Sequence, residues 1–298
     1  MKTRSSISQE ALALSDAGTE SIDIRPGSPL SAIELIFGGT KGSTENQSDK
    51  IQDVIKTIQL VNGSEVLWSL SMIEAVALNC FEMGRKPAHE YDLSGSGTAQ
   101  ETVWLNFGRF LFDPDYWLNP TKYENLQLKI ETNLTAGVTK YATGTITVDV
   151  ILHIIEEGSA GYKGYFSAKE VYSWTTVATG VETIDMPVEN PYRFILVGDL
   201  EDGIAPTADI TDIKLTANSD RFIVFDYDTA DMLLRNRSEY GEFIEYMKST
   251  LQDADTLNSS LFDIIGVSLL GGDHDFTMHC GSVAGNTITF AAGDQTGT

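Results

Sequence analysis

The 298-residue sequence is poor in cysteine: Cys80 and Cys280 are far apart and neither has a CxxC neighbour. Neither a zinc knuckle nor a disulfide framework is signalled, and a reducing compartment fits best. Long apolar runs are also missing. The N-terminal stretch Met1 to Glu20 carries two basic residues but not the apolar run of about 7 to 15 residues that a secretory signal needs. The most apolar stretch, Val148 to Ile155, is interrupted by Asp149 and His153 and is far short of the roughly 20 residues that span a bilayer. Export by signal peptide and membrane crossing are therefore not expected. Basic charge is scarce as well. Against 20 Lys plus Arg stand 43 Asp plus Glu, giving a formal charge of -23 and a pI near 4.3. Residues 1 to 160 hold 12 basic and 21 acidic residues and the remainder 8 and 22, so neither half offers a face for nucleic-acid phosphates. No GxSxG, GxxxxGK[ST] or GxGxxG occurs, and the Gly-rich stretches Gly38 to Ser43 and Ser94 to Gly97 read as loops.

What is present is a globular composition, 42% hydrophobic and 9% aromatic, at a length that suits two domains. The dominant pattern has period two. Leu126, Leu128 and Ile130 share one face of a strand, and Ile146, Val148 and Val150 one face of another. Further strands are expected at 21–25, 33–37, 54–60, 103–107, 210–215, 222–225, 276–280 and 287–290. Many short strands separated by Gly, Asn, Asp and Pro turns point to sandwiches or barrels. One helix is well marked: Ser71 and Glu74 form a capping box, Ile73, Val76, Ala77, Cys80 and Phe81 make an apolar stripe, and Gly84 suits a left-handed C-terminal cap. This helix is expected to pack one face on a sheet. A second helix begins after Asp228 and ends at Tyr240 and Gly241.

That counterpart exposes an internal repeat. Ser21-Ile-Asp-Ile with Pro29 and Ile33 matches Thr183-Ile-Asp-Met with Pro191 and Ile195 at an offset of 162. Ile55, Ile58 and Leu60 match Ile210, Ile213 and Leu215 at 155, and Asn79, Glu82 and Gly84 match Asn236, Glu239 and Gly241 at 157. The domains expected are an N-terminal arm over 1–20, a first unit over 21–158, a second over 159–292, and a C-terminal tail over 293–298. The boundary falls in the Gly-rich stretch from Glu156 to Gly164.

Two β-rich units, each with an inserted helix, resemble the double jelly-roll major capsid proteins of tailless icosahedral viruses, above all those of lipid-containing, corticovirus-type bacteriophages. The likeness runs from about Ile22 to Phe290 as an order of elements; the segments Phe107 to Pro120 and Asn190 to Val197 share that family's strand and loop style. The resemblance implies an all-β fold of two tandem jelly-roll β-sandwiches, each with an inserted helix. It also implies a chain that performs no reaction, binds no cofactor, forms homotrimers of pseudo-hexagonal outline and tiles an icosahedral shell. The implied partners are further copies of itself, minor capsid or vertex proteins and a lipid membrane beneath the shell, with no direct nucleic-acid binding. The implied location is the virion, after synthesis in the host cytoplasm.

Candidates for chemistry are few. There are four histidines, and His153 lies in a strand as a packed or edge residue. The sharpest cluster is Asp273, His274 and Asp275, which combines carboxylates and an imidazole suited to a divalent ion such as a structural calcium; it also reads as a solvated hairpin end. Asp199 with Asp202, and Asp226 with Asp228, are similar pairs. Trp104, Tyr116, Trp117 and Tyr123 cluster in sequence, with Trp104 expected inside and Tyr116 and Trp117 exposed as sugar-stacking or interface residues. Two rivals remain beside the coat reading: a double jelly-roll hydrolase of glycans or glycoproteins working through a carboxylate pair, and a lectin-like carbohydrate-binding protein.

Overall fold

A computed structural model describes residues 1–42, 50–92, 96–134, 141–157, 161–175, 179–199, 210–218, 220–240, 264–268, 276–282 and 287–296. The chain divides into two compact units, the first running through Ser167 and the second beginning at Ala168.

The first unit contains β1 (Lys2–Ala13), β2 (Ala17–Asp23), β3 (Leu30–Thr40), β4 (Ile55–Asn62), β5 (Glu65–Leu70), helix α1 (Met72–Met83), β6 (His89–Tyr91), β7 (Thr98–Asn106), β8 (Leu126–Asn133) and β9 (Thr147–Glu157). One sheet has the order β1-β9-β3-β7-β6 and another the order β2-β8-β4-β5, with antiparallel pairing throughout. The first strand thus lies beside the last and the second beside the next to last. The period-two residues do what their spacing requires: Ile33, Leu35 and Phe37 of β3, Leu128 and Ile130 of β8, and Val148 and Val150 of β9 are fully buried. Burying each such side chain contributes about 1.5–3 kcal/mol.

The second unit repeats the scheme. Strand β10 (Tyr165–Thr175) opens in the last residues of the first unit and continues into β11 (Gly180–Asp185), β12 (Tyr192–Asp199), β13 (Ile210–Ala217), β14 (Phe222–Asp228), helix α2 (Thr229–Tyr240), β15 (Ile264–Ser268), β16 (Phe276–Ser282) and β17 (Thr287–Thr296). Its sheets are β10-β17-β12-β15 and β11-β16-β13-β14. Setting β6 aside, the two strand orders are the same. Helices α1 and α2 are both twelve residues long, at the offset of 157 read from the sequence. Ile184, Ile195, Val197, Ile213, Leu215 and Met232 of this unit meet in one apolar cluster drawn from β11, β12, β13 and α2.

Three expectations need correction. Residues 1–20 are not an arm: β1 pairs along its length with β9 and β2 with β8. Strand β1 shows no apolar alternation because an edge strand is held by backbone pairing on one side, here to β9 with register shifts after Lys2, Ile7 and Gln9, while its side chains stay polar. Residues 293–298 are not wholly a tail, because β17 reaches Thr296, with Gly293 opposite Phe194 and Asp294 opposite Tyr192. The units divide at Ser167 and not at Gly158. Helix α1 also goes beyond expectation. Its capping box forms, with the Glu74 amide donating to Ser71 Oγ at 3.3 Å and the Ser71 amide to Glu74 Oε2 at 2.9 Å, and Gly84 takes φ 67°. Yet nine of its twelve residues are buried, so it packs on more than one face. No helix among the described residues is long and apolar enough to cross a membrane.

Candidate functional site

The loop between β7 and β8 concentrates the aromatic residues singled out in the sequence, and its core is an ion pair. Asp113 is completely buried and accepts four hydrogen bonds: from the Arg109 amide at 3.0 Å, Arg109 Nε at 2.7 Å, Arg109 Nη2 at 2.8 Å and the Asp115 amide at 2.9 Å. Asp115 in turn accepts from Arg109 Nη2 at 2.9 Å and Lys163 Nζ at 3.1 Å. Burial pushes the Asp113 carboxyl up, but the guanidinium and the two amides outweigh it and hold the group below the usual carboxylate range. The hydrogen bond to Asp113 likewise raises Arg109 above the ordinary guanidinium value. Asp113 is thus a fixed anion and no proton donor.

Aromatic rings pack round this pair. The Arg109 guanidinium lies 5.1 Å from the Tyr116 ring centroid, and Tyr116 stacks on Phe166 at 5.0 Å. Trp117 meets Tyr162 at 4.9 Å, and Lys122 Nζ lies over the Tyr162 ring, 4.9 Å from its centroid. Burial first, then a hydrogen bond with Tyr165, raises the Tyr123 phenol well above its ordinary value. Backbone contacts tie the loop down further: the Phe166 amide donates to the Phe107 carbonyl at 3.0 Å and the Trp117 amide to the Gly164 carbonyl at 3.0 Å. Phe112 is held at φ 62° with its amide on Ser31 Oγ at 2.6 Å, a left-handed conformation a bulky residue keeps only when its surroundings impose it.

The loop therefore presents a rigid tip. Trp117, expected at the surface, is only 5% exposed, because Tyr162 covers it; Tyr116 is half-buried. The exposed apolar residues are instead Phe110 at 59% and Leu111 at 41%, which the sequence does not distinguish from the buried Phe107 and the half-buried Phe112 flanking them. At Gly108 an added Cβ would sit 2.7 Å from Asp113 Cβ and 2.8 Å from the Tyr116 carbonyl oxygen. Gly108→Ala is expected to force the loop apart at a cost of about 1–3 kcal/mol, measurable as a lower midpoint of thermal unfolding; an unchanged midpoint would contradict this packing.

Of the other sequence candidates, Trp104 and His153 touch the loop through Phe112, whose ring meets His153 edge-on at 6.1 Å. Trp104 is half-buried and stacks on His153 at 4.8 Å, while His153 bonds Ser5 Oγ at 2.9 Å and Glu34 Oε2 at 3.1 Å; His153 is a packed residue of β9, as its strand position indicates. Asp226 pairs with Lys214 at 3.5 Å, and Asp228 lies opposite Asp212 in the sheet. Asp202, Asp273, His274 and Asp275 lie outside the described residues. Among the described residues no group of three or more His, Cys, Asp or Glu could hold a metal ion.

No protein-family model matches the chain, and no curated protein matches it in sequence. Solved structures do match over its whole length. The major capsid protein of Sulfolobus turreted icosahedral virus superposes with a TM-score of 0.71 at 11% identity, covering 98% of this chain and 96% of that one. The major capsid protein P2 of bacteriophage PM2 gives 0.61 at 11% identity, with 98% and 96% covered. The capsid of the virus PBCV-1 gives 0.62 at 9% identity, with 98% and 93% covered. The chain is a double jelly roll. Its two units are the two tandem jelly-roll sandwiches of the fold, and α1 and α2 are helices inserted after the fifth strand of each. In this double jelly roll the Arg109–Asp113 loop joins the two sheets of the first sandwich, since β7 belongs to one and β8 to the other.

Proposed function

We propose that this double jelly roll is a major capsid protein that associates as trimers and tiles an icosahedral virion shell. The observation that carries the reading is end-to-end likeness: matched structures of viral capsid proteins cover 98% of this chain and are themselves more than nine-tenths covered by it. The function is self-association, with no reaction and no cofactor assigned, and the place of action is the virion after synthesis in the host cytoplasm. Minor capsid or vertex proteins and a lipid layer beneath the shell are the further partners this reading calls for. A net charge of -23 suits it, since like-charged subunits stay apart until specific contacts form.

The purified chain, sized in solution and viewed by electron microscopy, tests the proposal. Trimers that close into shells are the expected result. A monomer that hydrolyses glycans overturns the reading in favour of the hydrolase, and a monomer that only binds them does so in favour of the lectin.

The tip of the β7–β8 loop fits a contact between capsomers, because two exposed apolar side chains on a rigid support lose little freedom on docking. Phe110→Asp with Leu111→Asp is expected to leave folding and trimers intact while reducing the yield of closed shells at least tenfold, scored by sedimentation. Normal shell yield would remove the tip from the lattice contacts.

A further inference from the structure

Strand β14 is the anomaly of the second unit. It ends its sheet, paired with β13 alone among the described residues, and Phe222, Ile223, Val224 and Tyr227 are 60, 51, 36 and 38% exposed. An unpaired edge carrying several exposed apolar residues is a template for another strand. Its equivalent in the first unit is β5, at the offset of 157 that also relates α1 to α2, so that Glu65 corresponds to Phe222 and Leu67 to Val224. Burial there differs from the third residue on: Glu65 is exposed, but Leu67, Trp68 and Leu70 are at most 2% exposed. Part of the cover on β5 within that unit is the residues that open β10. Ser167, 2% exposed, donates its hydroxyl to the Leu67 carbonyl, and Tyr165 and Phe166 beside it are buried.

The cover on β5 is thus the start of a strand that opens a jelly roll. Among the described strands the other of that kind is β1. Strands β1 and β10 end at Ala13 and Thr175, an offset of 162, which places Ser5 in the position of Ser167. Strand β1 also ends its sheet, pairing with β9 alone among the described residues, and its Ile7 is 61% exposed.

The geometry points to β14 of one copy docking on β1 of a second copy of this chain, with Val224 beside Ser5 as Leu67 is beside Ser167. This rests on the coat reading and specifies the contact that makes its trimer. The interface is heterologous, since each copy offers a β14 edge and receives on a β1 edge, and repetition of a heterologous contact closes into a ring when the rotation permits. The same occupant explains why β14 carries apolar residues in an otherwise acidic chain, where β5 has its apolar residues covered internally.

The test uses the full chain with Ser5→Cys and Val224→Cys, each alone and together, treated with an oxidant or a short thiol-to-thiol cross-linker; the geometry of a disulfide requires Cβ atoms about 3.5–4.5 Å apart. The double variant is expected to yield covalent trimers as its largest product on a denaturing gel, and each single variant none. Ile223→Asp, at an exposed position that leaves the fold intact by circular dichroism, is expected to raise the concentration needed for trimers at least tenfold. Trimers that neither cross-link through this pair nor weaken on Ile223→Asp overturn the inference while leaving the coat reading standing. A chain that stays monomeric at all concentrations overturns both.

Discussion

Replacing Asp113 with alanine is expected to destabilise the first unit by about 2–4 kcal/mol and to release the tip of the β7–β8 loop. The carboxylate has no exposed surface and satisfies four donors, two of them the backbone amides of Arg109 and Asp115. Arg109 is 42% exposed and regains water when its partner is lost, so the cost of an unpaired buried cation does not arise. The two part-buried amides lose their acceptor as well, and each donor left unmet costs about 1–3 kcal/mol. The same residue sets a pH dependence. Its folded pKa lies below the unfolded value of about 3.9, so its contribution is complete above that pH and is lost as pH falls through the lower folded value. Thermal unfolding followed from pH 7 to pH 3 should therefore show wild type losing more stability below about pH 4 than Asp113→Ala or Asp113→Asn does. Parallel curves for the three proteins would mean that the ion pair holds nothing. In assembly, Asp113→Ala should copy the Phe110 and Leu111 double variant, with trimers kept and shells lost, because the tip loses its support.

The sequence and the structure part company where burial and sequence pattern separate. Strands β3, β4, β8 and β9 were legible because along part of each a fully buried face alternates with a less buried one, and this is what makes apolar residues alternate. Helix α1 was legible because its Ser71 and Glu74 cap and its Gly84 stop are local chemistry. The repeat was legible because the two units preserve strand order and helix length through different loops. Strand β1 was not, since an edge strand can satisfy its backbone on β9 while its side chains stay polar. Strand β5 was missed because Trp68, Leu67 and Leu70 are all buried and leave no alternation to read. At the β7–β8 loop the aromatic cluster was visible, but which ring faces water depends on Tyr162 and Phe166, 45 and 50 residues further along the chain than their partners Trp117 and Tyr116. Arg109 and Asp113, which fix the loop, sit four apart in a stretch with no helical pattern, and nothing in their spacing announces that one is buried under the other.

Asn79→Ala is expected to cost about 2–4 kcal/mol, close to the Asp113 variant, from a residue on a helix with no charge involved. Strand β7 is covered by β6 only over residues 99 to 101, and beyond that its outer edge faces α1. Asn79, fully buried, closes this gap: its Nδ2 donates to the Trp104 carbonyl at 2.7 Å and its Oδ1 accepts from the Trp104 amide at 2.7 Å. A side-chain amide thus takes the place of a strand residue, with Asn106 Nδ2 on Glu82 Oε2 at 2.7 Å continuing the seal. Alanine removes both partners of one buried peptide unit and leaves a void, and for a unit of this size the loss corresponds to a fall of roughly 5–15 °C in melting temperature. The repeat supplies the control. Asn236 holds the same place in α2, offset by 157, is also buried, but its Nδ2 has no hydrogen-bond partner among the described residues. Asn236→Ala is therefore expected to cost no more than about 1 kcal/mol. Equal losses for the two variants, measured side by side by calorimetry, would mean that the asparagine is kept for the helix and not for the strand edge. A large loss at Asn79 alone would identify the sealed β7 edge as a feature specific to the first jelly roll, which protects it from the strand pairing that the open edge of β14 invites.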